Sequence, residues 1–563
     1  MIPKRSNRRI RLLLFVFVLL FGVTLARAAW LQVVKRDDYR RLAMNQHRET
    51  IAIPAGRGTI FDRRGAPLAI GEQTTTVYAD PREIVDPKRA ANAAGRALGL
   101  EPNFLFPELS NRKLGFLYVA RKADPLAAAT LAKQHIQGFG FYPEEKRVYP
   151  QGGVAAQVVG FAGTDNRGLE GLERSLDGTL SGTPGSETIV KDPFGRIVET
   201  LKSRPERRGR NVTLTIDHQI QANAEAILAE TVAKWHAKGG SVIIHDPRTG
   251  QILAMANAPG FDANRFGTVA PELHRNRAVT DVYEPGSTFK LVTISGALED
   301  HVVTPTTPFT LPPTIQVADR TIHDAETRGT ERMTVAQILA HSSNVGTVTI
   351  AKRLGASELS RWVHRWGFGT QTGVGFPGES SGMVLPLDQW SGSTIGTVPI
   401  GLGIAVTPLQ MAAAYATIAN HGVRIPPQLV LKVGAHRVAR PKARRVVSKA
   451  TARKVMTMLR DVVVQGTGTE AAIPGYTVAG KTGTANKPTP HGYSTTKYVA
   501  SFVGIVPARN PRLVITVVID EPRGTIWGGV VAAPAFAKIA QFDLQYLEIR
   551  PDAPETRYLA GSR

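Results

Sequence analysis

Hydrophobic and polar residues follow three different rhythms along this chain. The first thirty residues place five basic side chains, Lys4, Arg5, Arg8, Arg9 and Arg11, ahead of an apolar run from Leu12 to Ala26, which resumes after Arg27 as Ala28-Ala29-Trp30-Leu31. That order predicts export, with the basic end left in the cytoplasm. Ala26-Arg27-Ala28 has the small-x-small form of a cleavage site, so a removed leader and a retained anchor both fit. The anchor is favoured because Trp30 suits the interface and Arg27 can reach the outer headgroups. Helix-like and strand-like stretches follow. Tyr39 to His47 reads as a short helix, residues 59–61 and 66–70 as short strands, and residues 84–134 as Ala- and Leu-rich helices joined by loops. From residue 210 onward, NVTLTID opens as a strand, Gln219 to Trp235 as a helix, and GSVIIHD with GQILAMAN as a hairpin around Pro247-Arg248-Thr249-Gly250. Residues 286–299 predict a helix that starts beside Pro285-Gly286. YTVAGKTGTA, YVASFVGIVPA and RLVITVVIDEP then predict three more strands. Strands before and after a helical middle give an α+β class, an antiparallel sheet covered by helices.

Length changes this picture by requiring more than one domain: 563 residues exceed a single ordinary core. The basic, Pro- and Gly-bearing segment Lys202 to Arg210 marks the boundary. The expected division is a cytoplasmic tail at 1–11, an anchor at 12–30, an N-terminal domain at 31–209, a C-terminal domain at 210–546 and a tail at 547–563. Cys is absent, which excludes disulfides, thiolate catalysis and Cys-ligated metals. No histidine spacing of the His-x-x-x-His kind supports a zinc hydrolase. The net charge of +23 points to anionic partners, with clusters at Lys202–Arg210 and Arg437–Lys454. A solvated basic surface is the plain alternative. No recognition helix or aromatic-rich nucleic-acid strand is present, so nucleic acid is not an expected partner.

Candidate chemistry enters with Tyr283-Glu284-Pro285-Gly286-Ser287-Thr288-Phe289-Lys290. Ser-x-x-Lys alone proves little, because it occurs at Ser110/Lys113, Ser287/Lys290 and Ser494/Lys497. Only Ser287 is followed by the chain's single Ser-x-Asn, Ser342-Ser343-Asn344, 55 residues on, and then by its single Lys-Thr-Gly, Lys481-Thr482-Gly483, a further 139 on. Residues i and i+3 of a helix face the same way, so Lys290 could reach the Ser287 hydroxyl. A lysine acting as a base must be neutral, and burial beside a second cation, Lys481, would depress its pKa. Ser342 could relay a proton, and Asn344 could hold an amide substrate. Lys481, Thr482, Gly483 and Thr484 are expected on an edge strand that binds an extended peptide and its terminal carboxylate. Backbone N–H groups of Ser287 and Thr484 are the expected oxyanion hole.

These motifs, with Arg57-Gly58-x-Ile60-x-Asp62-Arg63-x-Gly65, Gly168-Leu169-Glu170-Gly171-Leu172-Glu173, Gly401-x-Gly403, Thr407-Pro408-Leu409-Gln410 and Gly480 to Ala485, resemble a class B penicillin-binding protein, the monofunctional peptidoglycan D,D-transpeptidase. The resemblance spans nearly the whole chain. It implies an N-terminal pedestal domain, a penicillin-binding transpeptidase domain with a helical subdomain, and an inner-membrane location with the catalytic domain outside the cytoplasm. It also implies a Ser287 acyl-enzyme formed from D-Ala-D-Ala stem peptides and resolved by the amine of a neighbouring stem. β-Lactams would acylate the same serine, no metal or organic cofactor would be needed, and a polytopic membrane glycosyltransferase would be the working partner, with other divisome proteins. The short spacing from the Arg57 motif to Val77–Pro81 is nearer division-type than elongation-type members.

Other readings attach to the same residues. Arg57, Asp62 and Arg63 could form an ion-pair network at the hinge between domains, while Glu170 and Glu173 read as surface or interdomain contacts. Gly401 and Gly403 would permit a tight backbone path behind the site. A Ser-His scheme through His341 lacks a supporting carboxylate. A serine β-lactamase would need a deacylating Glu between Asn344 and Lys481, which is not evident. A penicillin sensor would need a cytoplasmic effector, and a silent scaffold would not need Ser287.

Overall fold

The computed structural model describes residues 4–38, 48–191, 197–490 and 492–553. The helix expected at Tyr39 to His47 and the last ten residues of the expected tail lie outside them. By contacts the chain forms two compact units, one of residues 1–56 with 182–208 and the other of residues 57–181 with 209–563.

The smaller unit holds the helix Lys4–Val33, in which Arg8–Val33 has a mean hydropathy of 2.4 in its most apolar window and no burial, long and apolar enough to cross a membrane. The helix runs unbroken through Ala26-Arg27-Ala28. The Arg27 guanidinium lies 5.2 Å from the Trp30 ring centroid, a cation–π contact near the helix end. Three antiparallel strands complete the unit: Arg48–Ile53, Gly185–Lys191 in the middle, and Ile197–Arg204.

The larger unit is built around a five-stranded antiparallel sheet in the order Ile252–Ala258, Gly239–His245, Leu513–Asp520, Gly492–Val506, Ala479–Thr489. Its central strands are buried on both faces, which is why they read as continuous apolar runs. The period of two sorts the side chains. Ala500, Phe502 and Val506 pack with the helices His218–Lys234 and Ala533–Tyr546, whereas Val503, Ile505 and Val514 meet Lys290–Glu299, Pro408–Ala419 and Lys449–Gln465. The Thr407-Pro408-Leu409-Gln410 motif has a local cause. Thr407 accepts from Gln410 N while the Gln410 side chain accepts from Thr407 N, a capping box with proline in the first turn.

A second sheet explains why residues 57–181 belong with the C-terminal half. The strand Ile60–Phe61 pairs in parallel with Val212–Leu214 and antiparallel with Pro67–Ala79. Pro67–Ala79 in turn pairs with Leu117–Ala123 and Phe139–Val148. Ile60, Leu68, Val158 and Leu172 share one core with Ile243, Ile252 and Leu409. The expected boundary at 209/210 therefore falls where the chain re-enters this unit, and only 182–208 and the residues before Arg57 separate from it. The strand Leu117–Ala123 stands where the sequence reading placed only helices and loops.

Arg57 is the centre of a buried ion-pair network within the larger unit. Its guanidinium is 1% exposed and pairs with Glu173 at 2.6 Å and Asp177 at 2.7 Å, while Arg147 meets the other Glu173 oxygen at 2.6 Å. Glu173, read from sequence as a surface or interdomain contact, is fully buried between two guanidiniums. Asp62 is held differently, by the N–H groups of Arg64 and Ala66 and by the His218 ring at 2.7 Å. Arg63 reaches Gln251 rather than a carboxylate.

Replacing Arg57 with alanine leaves Glu173 and Asp177 facing an emptied, buried position. The expected loss is about 3–5 kcal/mol, read as a lowered midpoint in denaturant or thermal unfolding, and an unchanged midpoint would remove Arg57 from that role.

Candidate active site

Distant stretches of sequence converge on one cleft of about 790 Å³, whose lining includes Ser287, Ser342, Asn344, Thr482 and Thr484. Gly286–Phe289 forms a single 3₁₀ turn that passes into the α-helix Lys290–Glu299. Ser287 therefore sits at the mouth of a buried helix, itself half-buried, with Thr288 and Phe289 fixed in the core. Gly286 takes φ +54°, and a Cβ there would lie 2.9 Å from Thr484 O. Behind it, Gly286 N donates to Gly401 O, and a Cβ on Gly401 would come within 2.2 Å of Gly286 O. That is the tight path expected of Gly401. Gly403 acts otherwise, donating its N–H to Glu284 Oε1 at 2.8 Å, the oxygen that also accepts from Tyr493 OH at 2.9 Å.

The second motif is made by a helix ending and another beginning. Val335–Ala340 terminates, Ser342 turns with φ +60°, and Ser343 caps Asn344–Leu354 by accepting from Gly346 N at 2.9 Å. Asp324, which carries no sequence motif, organises this turn. Its carboxylate accepts from Ser343 Oγ, from the N–H groups of Asn344 and Val345, and from Arg328 Nε at 2.6 Å. Although burial works in the opposite direction, the bonds from Val345, Arg328 and Ser343 hold its pKa below the ordinary value.

Lys290 is wholly buried, and its Nζ bonds to Ser342 O, to Ser342 Oγ at 3.3 Å and to Asn344 Oδ1 at 2.8 Å. The hydrogen bonds of this amine run to the second motif and not to Ser287. Burial pushes its pKa well below the usual lysine value, the charge of Lys481 pushes the same way, and Asp324 opposes both. Lys481 is also wholly buried, and burial brings it down to about 7. Its Nζ lies 3.3 Å from Thr482 Oγ1 and 3.5 Å from Thr467 Oγ1, and the two hydroxyls are 2.6 Å apart. Ala479–Thr489 is the sheet's edge strand, pairing only with Gly492–Val506. Gly483 has no room for a Cβ, which would meet Ser501 Oγ at 2.4 Å and Pro285 O at 2.9 Å.

All eight site residues expected from sequence thus fall on this cleft or its immediate wall. The other Ser-x-x-Lys pairs do not take part. Ser110 Oγ donates to Phe106 O at a helix end, and Ser494 Oγ accepts from Lys497 N within the strand Gly492–Val506, where the sequence reading placed a turn. His341 is exposed beside the cleft and makes no side-chain hydrogen bond among the described residues. Asp324, Thr467 and Tyr493 were missed because single residues far from any motif carry no signal of proximity.

Replacing Asp324 with alanine leaves the N–H groups of Asn344 and Val345 and the Arg328 guanidinium without their acceptor. A destabilisation of about 1–3 kcal/mol in thermal unfolding is expected, and wild-type stability would show that the turn holds itself.

Comparison with known proteins agrees with this geometry. Residues 240–541 match the penicillin binding protein transpeptidase domain, and residues 52–214 match the penicillin-binding protein dimerisation domain. The chain is 36% identical to the probable peptidoglycan D,D-transpeptidase PenA of Neisseria gonorrhoeae, covering 98% of this chain and 95% of that one. It is 35% identical to the peptidoglycan D,D-transpeptidase FtsI of Escherichia coli over the same shares. The crystal structure of penicillin binding protein 3 from Mycobacterium tuberculosis complexed with aztreonam superposes with a TM-score of 0.70 at 33% identity, covering 90% of this chain and 99% of that one. With both domain models matched in order and a cleft assembled from all three motifs, the chain belongs to the class B penicillin-binding proteins.

Proposed function

We propose that this cleft performs peptidoglycan cross-linking as a serine D,D-transpeptidase. The observation that carries the reading is Lys290, a lysine amine with its pKa depressed, buried one helical turn from Ser287 and bonded to Ser342 Oγ and Asn344 Oδ1. Ser287 Oγ attacks the carbonyl carbon of the penultimate D-Ala, and its proton passes to neutral Lys290 Nζ. Ser342 Oγ carries a proton from Lys290 to the departing D-Ala nitrogen as the peptide C–N bond breaks. An acceptor amine then attacks the acyl-enzyme, forms the new amide and returns the proton to Ser287 Oγ through the same groups. Asn344 orients the substrate amide and the Lys290 amine. Lys481, Thr482 and Thr484 receive the terminal carboxylate at the edge strand, where Gly483 keeps the strand close to the 3₁₀ turn. The oxyanion is assigned to the N–H groups of Ser287 and Thr484.

The septal assignment rests on similarity to FtsI and on the spacing from the Arg57 motif to Val77–Pro81. The apolar helix then acts as a single-pass anchor with its basic end in the cytoplasm and the cleft outside. Division proteins and a polytopic glycosyltransferase are the corresponding partners. The expected readout is mid-cell localisation of a fluorescent fusion and filamentation on depletion, whereas rounding of depleted cells would reassign the protein to elongation.

Mass spectrometry after exposure to a penicillin should find one adduct, on the peptide containing Ser287 and absent in Ser287→Ala. An adduct elsewhere would overturn the assignment. The pH dependence follows from the direction of the lysine shift. A base works only deprotonated, so acylation should rise with pH through the depressed Lys290 pKa and level off well below pH 10. Lys290→Arg, which stays charged, should lose about 10²–10⁴-fold in rate across this range. Retention of the wild-type profile by that variant would exclude Lys290 as the base.

A further inference from the structure

The basic cluster Arg437–Lys454, singled out in the sequence, is not used by the cleft, and the fold joins it to cations from elsewhere. Arg445, Lys449 and Arg453 converge with Arg248 on His421, whose pKa these four charges and burial together lower, burial most. Arg444 and Arg365 adjoin them through the bond from Arg444 to Arg365 O at 2.7 Å. All six cations are exposed, and none forms an ion pair among the described residues. Four of them are instead fixed on backbone carbonyls. Arg445 donates to His421 O at 3.0 Å, Arg365 to Val446 O at 2.8 Å, Arg444 as above, and Arg248 to Pro511 O at 2.9 Å. Carbonyl anchoring holds a guanidinium in place without pairing it to a carboxylate. Glu299 accepts from Ser448 N and Oγ and, as the carboxylate acting on Arg365, offsets only part of the field. Side chains that only solubilise a surface have no need of such anchoring, whereas a positioned field of one sign suits a polyanion.

Resting on the transpeptidase reading, we propose that this face is a second docking site for the acidic peptidoglycan strand, which it grips through stem-peptide carboxylates while another stem occupies the cleft. The helix Lys449–Gln465 joins the two places. Its first two turns carry Lys449 and Arg453, and its last residue lies two positions before Thr467 at the Lys481 amine. Seventeen residues separate the two places by roughly 25 Å along the helix. Arg guanidiniums supply the planar forks that match carboxylates, and Lys449 adds a point charge.

The test is co-sedimentation of the full-length, detergent-solubilised protein with insoluble purified peptidoglycan, after penicillin has acylated Ser287 and closed the cleft. Lys449→Glu/Arg453→Glu reverses two exposed charges, one of them at the helix's first position where an acidic residue is favoured, so the variant should fold. Its bound fraction should correspond to about tenfold weaker binding at low salt, and the wild-type advantage should vanish as salt screens the field. Its thermal midpoint and penicillin acylation rate should match the wild type. Equal sedimentation of variant and wild type, or wild-type binding indifferent to salt, overturns the proposal. So does a variant that loses binding to phosphatidylglycerol vesicles while keeping its hold on peptidoglycan, since the face would then serve phosphate headgroups. Failure of the wild type to be acylated would instead count against the transpeptidase reading and is scored separately.

Discussion

Two lysine amines enclosed in one protein interior without a carboxylate partner are the constraint around which the larger unit is arranged. Lys290 and Lys481 are both fully buried, and neither has an ion pair among the described residues. An enclosed ammonium is costly, and two in proximity repel, so the interior favours releasing protons from the site. The oxygens nearby are neutral acceptors: Ser342 O, Ser342 Oγ, Asn344 Oδ1, Thr467 Oγ1 and Thr482 Oγ1. They satisfy the amines as hydrogen-bond donors without fixing the positive charge in place. Asp324, the one carboxylate acting on Lys290, spends its bonds on the turn behind Asn344 and so counters the depression only in part.

Holding such a site requires close backbone approach from several directions. The 3₁₀ turn carrying Ser287 is pressed between Gly401 on one side and the edge strand on the other, with Gly483 meeting Pro285 O. Glycine at 286 and 401 is needed both for positive φ and for lack of room. Glu284 ties the same turn to Gly403 and to Tyr493 on the strand Gly492–Val506. Burial raises the Glu284 pKa, and the bonds from Gly403 N and Tyr493 OH work against that shift.

Much of this was legible from residues alone, because motifs record short-range requirements. Ser287 and Lys290 share one turn, Ser342 and Asn344 share one helix start, and Lys481 to Thr484 share one strand, so each group is a local signature. The five-stranded sheet was legible for a related reason, since strands buried on both faces leave long apolar runs. Other features depend on pairing across the chain. Ile60–Phe61 and Val212–Leu214 both read as strands, but nothing in either segment shows that they pair in parallel with each other, and that contact assigns residues 57–181 to the larger unit. Glu173 looked like a surface residue because two guanidiniums, from Arg57 and Arg147, make its burial tolerable only after folding. Asp324 lies 18 positions before Ser342, with nothing in the intervening sequence to indicate their approach.

The excursion at 182–208 leaves and re-enters the larger unit at adjoining points. Gly58 N bonds to Leu180 O at 2.8 Å, Arg210 N bonds to Thr179 O at 3.0 Å, and Gly209 lies against Leu180 with no space for a Cβ. A segment clasped in this way at its root is insulated in length from the frame that bears it. Residues can be added to or removed from its far end at little closure cost, because the entropy of a loop grows only slowly with its size. Its dimensions are thus open to adjustment against whatever it meets, while the spacing of the three catalytic motifs stays as it is.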